Sequence, residues 1–253
     1  MARKRSSQPG PYLQHLELIP KRIKDASVYP FSLPAVRQLL KLVFHPKVTF
    51  LVGENGSGKS TILEAVAIQM GMNPEGGGRN FNFATRSSHS TLCDAIRLSK
   101  ASNQEGDSYF LRAESYFNLA TNIEQLDPSI IGFYGGVSLH EQSHGESFFA
   151  LFKNRFREHG LYLLDEPEAA LSPTRQLEFL ALMHQYVLMG CQFVIATHSP
   201  IIMAYPDAVI HHFGKDGIKE VKYTDTEHYL VTRRFLTHTR STLEVLMGEP
   251  EDS

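Results

Sequence analysis

The sequence predicts an α/β fold, a mostly parallel sheet flanked by helices, and three observations carry that expectation. The runs Val48-Thr49-Phe50-Leu51-Val52, Leu161-Tyr162-Leu163-Leu164 and Phe193-Val194-Ile195-Ala196 have the length and composition of strands buried on both faces. Between them lie segments of helical length, at residues 60–70, 146–158 and 173–188, so strand and helix alternate. Each of the three runs also ends in glycines, carboxylates or a histidine, at the edge where sheets of this kind hold ligands.

The remaining elements follow in chain order. Residues 1–10 open with basic and small polar residues and read as a flexible, solvated tail. Residues 12–19 alternate apolar and polar side chains, the pattern of a strand. Pro20, Pro30 and Pro34 punctuate turns before a short helix expected over 35–41. The helix at 60–70 closes at Gly71 and the cluster Gly76-Gly77-Gly78. Residues from about 73 to 140 read as an irregular insertion, in which 108–112 is the clearest strand. A hairpin-like pair, 208–213 and 218–223, turns at Gly214-Lys215-Asp216-Gly217, and one last helix is expected over 226–247. No repeat, heptad run or low-complexity segment interrupts residues 1–253, which read as one domain.

Composition narrows the function classes. With 42% hydrophobic residues in 253, the chain can bury a core without metal or disulfide staples. Cys93 and Cys191 show no paired spacing, which fits a reducing cytoplasm. The 25 basic residues against 27 acidic ones do not call for DNA or RNA, although a local basic patch stays open. The longest apolar stretches are strand-sized, far short of the ~20 residues of a spanning helix, so membrane insertion is not expected.

The strongest motif is Gly53-Glu54-Asn55-Gly56-Ser57-Gly58-Lys59-Ser60-Thr61, which satisfies G-x-x-x-x-G-K-[ST] between a strand and a helix. Glycines let the backbone wrap a phosphate chain with its N–H groups inward, and the helix N-terminus adds positive potential. Lys59 is placed to reach the β- and γ-phosphates of ATP, and the Ser60 hydroxyl to ligate Mg²⁺. Alone, Asp165-Glu166-Pro167 would be an ordinary acidic start to the following helix. Beside a phosphate cradle, Asp165 is a candidate Mg²⁺ ligand, and Glu166 a candidate for the general base or water orienter. His198, in Thr197-His198-Ser199-Pro200, stands at the same sheet edge one strand further along. There a neutral imidazole can hydrogen-bond the γ-phosphate and the attacking water.

The ordered motifs GENGSGKST, QSHGES, LYLLDEPEAALSP and ATHSP resemble ABC-type ATPase domains, and within them the soluble structural-maintenance-of-chromosomes and RecF-like branch. The resemblance covers about residues 48–200. It implies that Gln142-Ser143-His144-Gly145-Glu146 is the LSGGQ-like signature, with Ser143 and Gly145 capping the γ-phosphate of a partner subunit in a head-to-tail homodimer. It implies a D-loop at Ala169-Ala170-Leu171-Ser172. His144 departs from the signature glycine, and Ser172 from the usual aspartate. Glu114 falls where the family's Q-loop glutamine contacts Mg²⁺. An adenine-stacking aromatic stays unassigned: Tyr29 and Phe31 lie at a fitting distance upstream, with core packing the expected role of both. His211 and His212 show no ligand spacing and are expected to be structural.

These residues leave several machines open. The first is an ATP-gated dimer switch acting on a separate effector or partner protein. The second is the ATPase subunit of a membrane transporter, and the third a nucleic-acid-handling ATPase of repair or phage defence.

Overall fold

The computed structural model describes residues 10–74, 76–77, 90–102, 105–112 and 144–248. Along the chain they form β1 (Leu13–Leu18), α1 (Pro34–Arg37), β2 (Lys41–Val43), β3 (Val48–Gly53), α2 (Lys59–Gln69), α3 (Leu92–Ala95), β4 (Ile96–Lys100) and β5 (Asp107–Arg112). After residue 143 come α4 (His144–Arg155), β6 (Gly160–Asp165), α5 (Pro173–Leu188), β7 (Gln192–Ala196), β8 (Val209–Gly214), β9 (Gly217–Val221), α6 (Glu227–Thr237) and α7 (Thr239–Met247).

Six strands form the central sheet in the order β5-β6-β7-β3-β8-β9. The first five run parallel, and β9 returns antiparallel to β8 through the expected hairpin. The register aligns the ends that matter. Arg112 pairs with Asp165, Asp165 with Ala196 and Leu51 with Ala196, so the loops after β3, β6 and β7 leave from one edge.

The apolar strand runs are continuous because both faces are covered, and alternate residues serve opposite layers. Val48, Phe50, Val52, Tyr162, Leu164, Phe193 and Ile195 pack in one core with α4 and α5. Leu51, Leu161, Leu163, Val194 and Ala196 pack in the other with α1 and α2. Helix α4 supplies Phe148, Phe149 and Phe152 to the first core, and Phe156, just past its end, stacks on Tyr162 with centroids 3.8 Å apart.

The second layer is not helical alone. β1 pairs antiparallel with both β2 and β4 to make a three-stranded sheet that sequence reading missed. The helix expected over 35–41 accordingly stops at Arg37. Leu42 is buried opposite Leu16 while its neighbours Lys41 and Val43 are exposed, a strand alternation that ladder pairing favours over another helical turn. The buried side chain of Gln192 joins this sheet to β7. Its Oε1 accepts from Tyr12 N–H (2.8 Å) and Leu13 N–H (2.9 Å), and its Nε2 donates to Leu13 O (2.7 Å) and His45 O (2.9 Å).

The helix expected over 226–247 is two helices, broken at His238 (φ −129°, ψ 40°). The hydroxyls of Thr237 and Thr239 bond back to Arg233 O and Phe235 O, each at 2.7 Å, an alternative to regular helix that threonine offers. No helix among the described residues is long and apolar enough to cross a membrane.

Candidate nucleotide-binding site

The glycine-rich turn needs its glycines for stated reasons. Gly53 ends β3 at φ 143°, and a Cβ there would come within 2.5 Å of Phe213 O on β8. Gly58 caps α2 at φ 102°, a conformation that side chains rarely adopt. The turn opens on a cleft of about 270 Å³, lined by Asn55, Gly56, Lys59, Ser60, Asp165 and Glu166 among others. Lys59 is buried, and its Nζ donates to Gly53 O (2.7 Å) and Glu54 O (3.0 Å) at the base of the turn. Burial pulls its pKa down, while the charges of Glu166, Asp165, Glu168 and Glu54 oppose that shift.

Opposite the lysine, the Ser60 hydroxyl donates to Asp165 Oδ1 at 2.9 Å. Two hard oxygen donors that already meet across the cleft suit Mg²⁺, which takes few protein ligands and keeps waters and phosphate oxygens for the rest. Ser60 and Asp165 are the residues that would hold it. Arg112, at the end of β5, extends this edge: its NH1 donates to Glu64 Oε2 (2.9 Å) and its Nε lies 3.7 Å from Asp165 Oδ2.

The other wall is built from side chains. Glu166 adopts a left-handed backbone (φ 52°, ψ 52°) and donates its N–H to Ala196 O at 2.9 Å. A non-glycine residue held there costs on the order of 1–3 kcal/mol, a strain found where a side chain must be aimed. Its Oε1 lies 3.5 Å from His198 Nε2. Glu168, two residues on, clamps the histidine turn: Oε1 accepts the His198 N–H (2.6 Å) and Oε2 the Thr197 hydroxyl (2.8 Å). Burial raises the pKa of this carboxyl against those hydrogen bonds. His198 Nδ1 in turn lies 3.0 Å from His228 Nε2, on α6.

The structure thus brings Lys59, Ser60, Asp165 and Glu166 around one cleft, with His198 set against Glu166. Glu114 and Ser143 lie outside the described residues, and Gly145 falls in the first turn of α4. Ser172 caps α5, accepting from Arg175 N–H. The expectation of core packing holds for Phe31 but not for Tyr29. Phe31 is buried, whereas Tyr29 is 63% exposed, lines the cleft and shares a 2.8 Å hydrogen bond between its hydroxyl and that of Thr61. His211 is buried, with Nε2 2.7 Å from Val43 O, in a structural setting. Arg112, Glu168 and His228 were missed. Register with the Asp165 strand would have found Arg112, and the acidic PEAA turn Glu168, but no local pattern marks His228.

Comparison with known proteins adds to this geometry. Residues 32–127 match a family described as an AAA domain. No curated protein sequence matches the chain. Among solved structures it is similar to the SMC head domain from Thermotoga maritima, with 18% identity over 83% of this chain and 99% of that one (TM-score 0.46). It is also similar to a nucleotide-free ATP-binding cassette from an ABC transporter, with 15% identity over 94% of this chain and 100% of that one (TM-score 0.48). A third likeness is the SmcHead bound to the C-winged helix domain of ScpA, with 14% identity over 83% and 97% (TM-score 0.45). The motifs and strand order carry the fold assignment: a phosphate cradle at the end of β3, an Asp-Glu pair at the end of β6, and one strand between them. With the AAA-domain match over residues 32–127 lying over that cradle, the chain has the fold of an α/β P-loop ATPase.

Proposed function

We propose that the chain hydrolyses Mg-ATP in a site completed by a second copy, and that the cycle switches a separate partner protein. The observation that carries the hydrolytic reading is the meeting of Glu166 and His198, 3.5 Å apart, where Glu166 lines the same cleft as Lys59 and the Ser60–Asp165 pair. A cradle alone would bind nucleotide. The second wall supplies a carboxylate that orients a water and takes its proton, and an imidazole that donates to the terminal phosphate. Lys59 moves from the turn carbonyls to the β- and γ-oxygens and offsets the charge that develops there. Mg²⁺ held by Ser60 and Asp165 would supply Lewis-acid stabilisation of the phosphate charge.

The dimer reading rests on the resemblance of Gln142 to Glu146 to a signature, and on α4 beginning at His144, which gives that segment a helix N-terminus. In such a switch Ser143 and Gly145 of one copy cap the phosphate held by the other. The resemblance also makes a role in repair or phage defence the direction in which to seek the partner.

Mixing tests it. Lys59→Ala removes a copy's own cradle and keeps its signature, while Ser143→Arg blocks the signature and keeps the cradle. Each alone is expected to be inactive, and the mixture to recover part of the activity at one intact composite site. Normal turnover by Ser143→Arg alone would refute the shared site. Glu166→Gln with ATP is expected to run as a dimer in light scattering.

A further inference from the structure

His228 belongs to none of the motifs above, yet it touches the histidine assigned to the chemistry. It sits in the first turn of α6, after Thr226, whose hydroxyl accepts from Tyr229 N–H at 3.3 Å. Its Nε2 lies 3.0 Å from His198 Nδ1, with ring centroids 5.2 Å apart and planes tilted by 58°. One proton between two ring nitrogens makes one ring the donor and the other the acceptor, so the tautomer of each fixes the other. Burial, followed by the charge of Lys59, lowers the pKa of both rings, which keeps both neutral at pH 7.

Two arrangements satisfy the pair. If His198 carried its proton on Nδ1, the Nε2 lone pair would face the carboxylate oxygen of Glu166 at 3.5 Å, acceptor against acceptor. If His228 donates from Nε2, His198 carries its proton on Nε2 and directs an N–H at Glu166, which lines the cleft. His198 Nε2 is buried and has no hydrogen-bond partner among the described residues, so that N–H is held ready. We propose that His228 is a positioning residue that fixes His198 as the Nε2–H tautomer, so that His198 meets the terminal phosphate as a donor. The proposal rests on the reading of His198 as a group that acts on that phosphate.

Two measurements test it apart from that reading. Long-range ¹H–¹⁵N correlation on ¹⁵N-histidine-labelled protein reads the tautomer directly. The wild type and His228→Gln, whose amide can donate, are expected to show His198 protonated on Nε2. His228→Glu can only accept when ionised and is expected to move that proton to Nδ1. In turnover, His228→Gln should stay within about threefold of wild type. His228→Glu should lose about 30-fold in kcat with the KM for ATP unchanged, the signature of a contact made in the transition state. In a His198→Ala background the Gln and Glu variants should turn over equally. Should the Glu variant not fold, as judged by its melting temperature, His228→Leu takes its place with the same expected loss. An Nδ1–H tautomer in the wild type, or equal turnover by His228→Gln and His228→Glu, overturns the proposal. Wild-type turnover by His198→Ala instead removes His198 from the chemistry, while the tautomer measurement still decides what His228 does.

Discussion

The two walls of the cleft are built in opposite ways. The cradle wall is nine consecutive residues, Gly53 to Thr61, held by backbone conformation and by a lysine folded onto its own turn. The histidine wall presents Glu166 to the cleft, backs it with Glu168, His198 and His228, and is held by side-chain contacts. The first arrangement suits binding, since N–H groups and one buried ammonium fit any triphosphate. The second suits reaction, since it aims individual polar atoms. A nucleotide should therefore feel the first wall in its affinity and the second in its turnover.

The largest expected effect tests the second wall. Glu166→Gln should lose about 10³-fold in kcat, within the range for a general base, while binding ATP as the wild type does. A fall in ATP affinity of similar size, measured by calorimetry, would erase the distinction between the walls. Lys59→Ala is the converse. It removes charge-assisted bonds to the phosphates, and affinity should fall by about 100-fold. Tyr29→Ala sharpens the comparison beside the first wall, where the Tyr29 hydroxyl bonds that of Thr61. Loss of a stacking face should weaken ATP by about tenfold and leave inorganic triphosphate unaffected, in side-by-side calorimetric titrations.

The smallest effect separates a histidine of the scaffold from those of the cleft. Burial holds the pKa of His211 below its ordinary value. Its folded pKa is therefore lower than its unfolded one, and the stability it contributes is present above about pH 6.5 and lost as pH falls through the folded value. Thermal melts from pH 7.5 to 5.5 should show falling stability in the wild type. His211→Gln, which keeps a donor for Val43 O, should lose less over the same interval.

The same contrast explains what could be read from the sequence. The cradle was legible because its chemistry is local: spacing, flanking strand and flanking helix all lie within one window. Asp165, Glu166 and His198 were legible because each follows a buried apolar run, and parallel pairing brings those ends together. Glu168 and His228 act through contacts spanning about 30 residues, which no periodicity announces. Tyr29 was misassigned because an aromatic between turn-forming residues looks the same whether it faces a core or a cleft. The three-stranded sheet escaped because β2 has only three residues and β4 pairs with β1 some 80 residues away. The break at His238 is flanked by threonine hydroxyls that bond back to carbonyls four residues earlier, a local feature that an amphipathic pattern does not encode.

Gln192 bears on how the molecule opens. Its amide makes two acceptor and two donor contacts, its full capacity, and joins the backbone of β1 and of His45 to the first residue of β7. Peeling the small sheet away would strand buried polar groups on both sides, at roughly 1–3 kcal/mol for each. That penalty removes the partial opening that would otherwise be the easiest fluctuation of a three-stranded edge. The amide hydrogens of Tyr12 and Leu13 should then exchange with solvent only as slowly as those of β3 and β7 themselves. An element at the margin of the fold is then expected to melt with its centre, and β7, which leads into the His198 turn at its far end, is anchored at its near one.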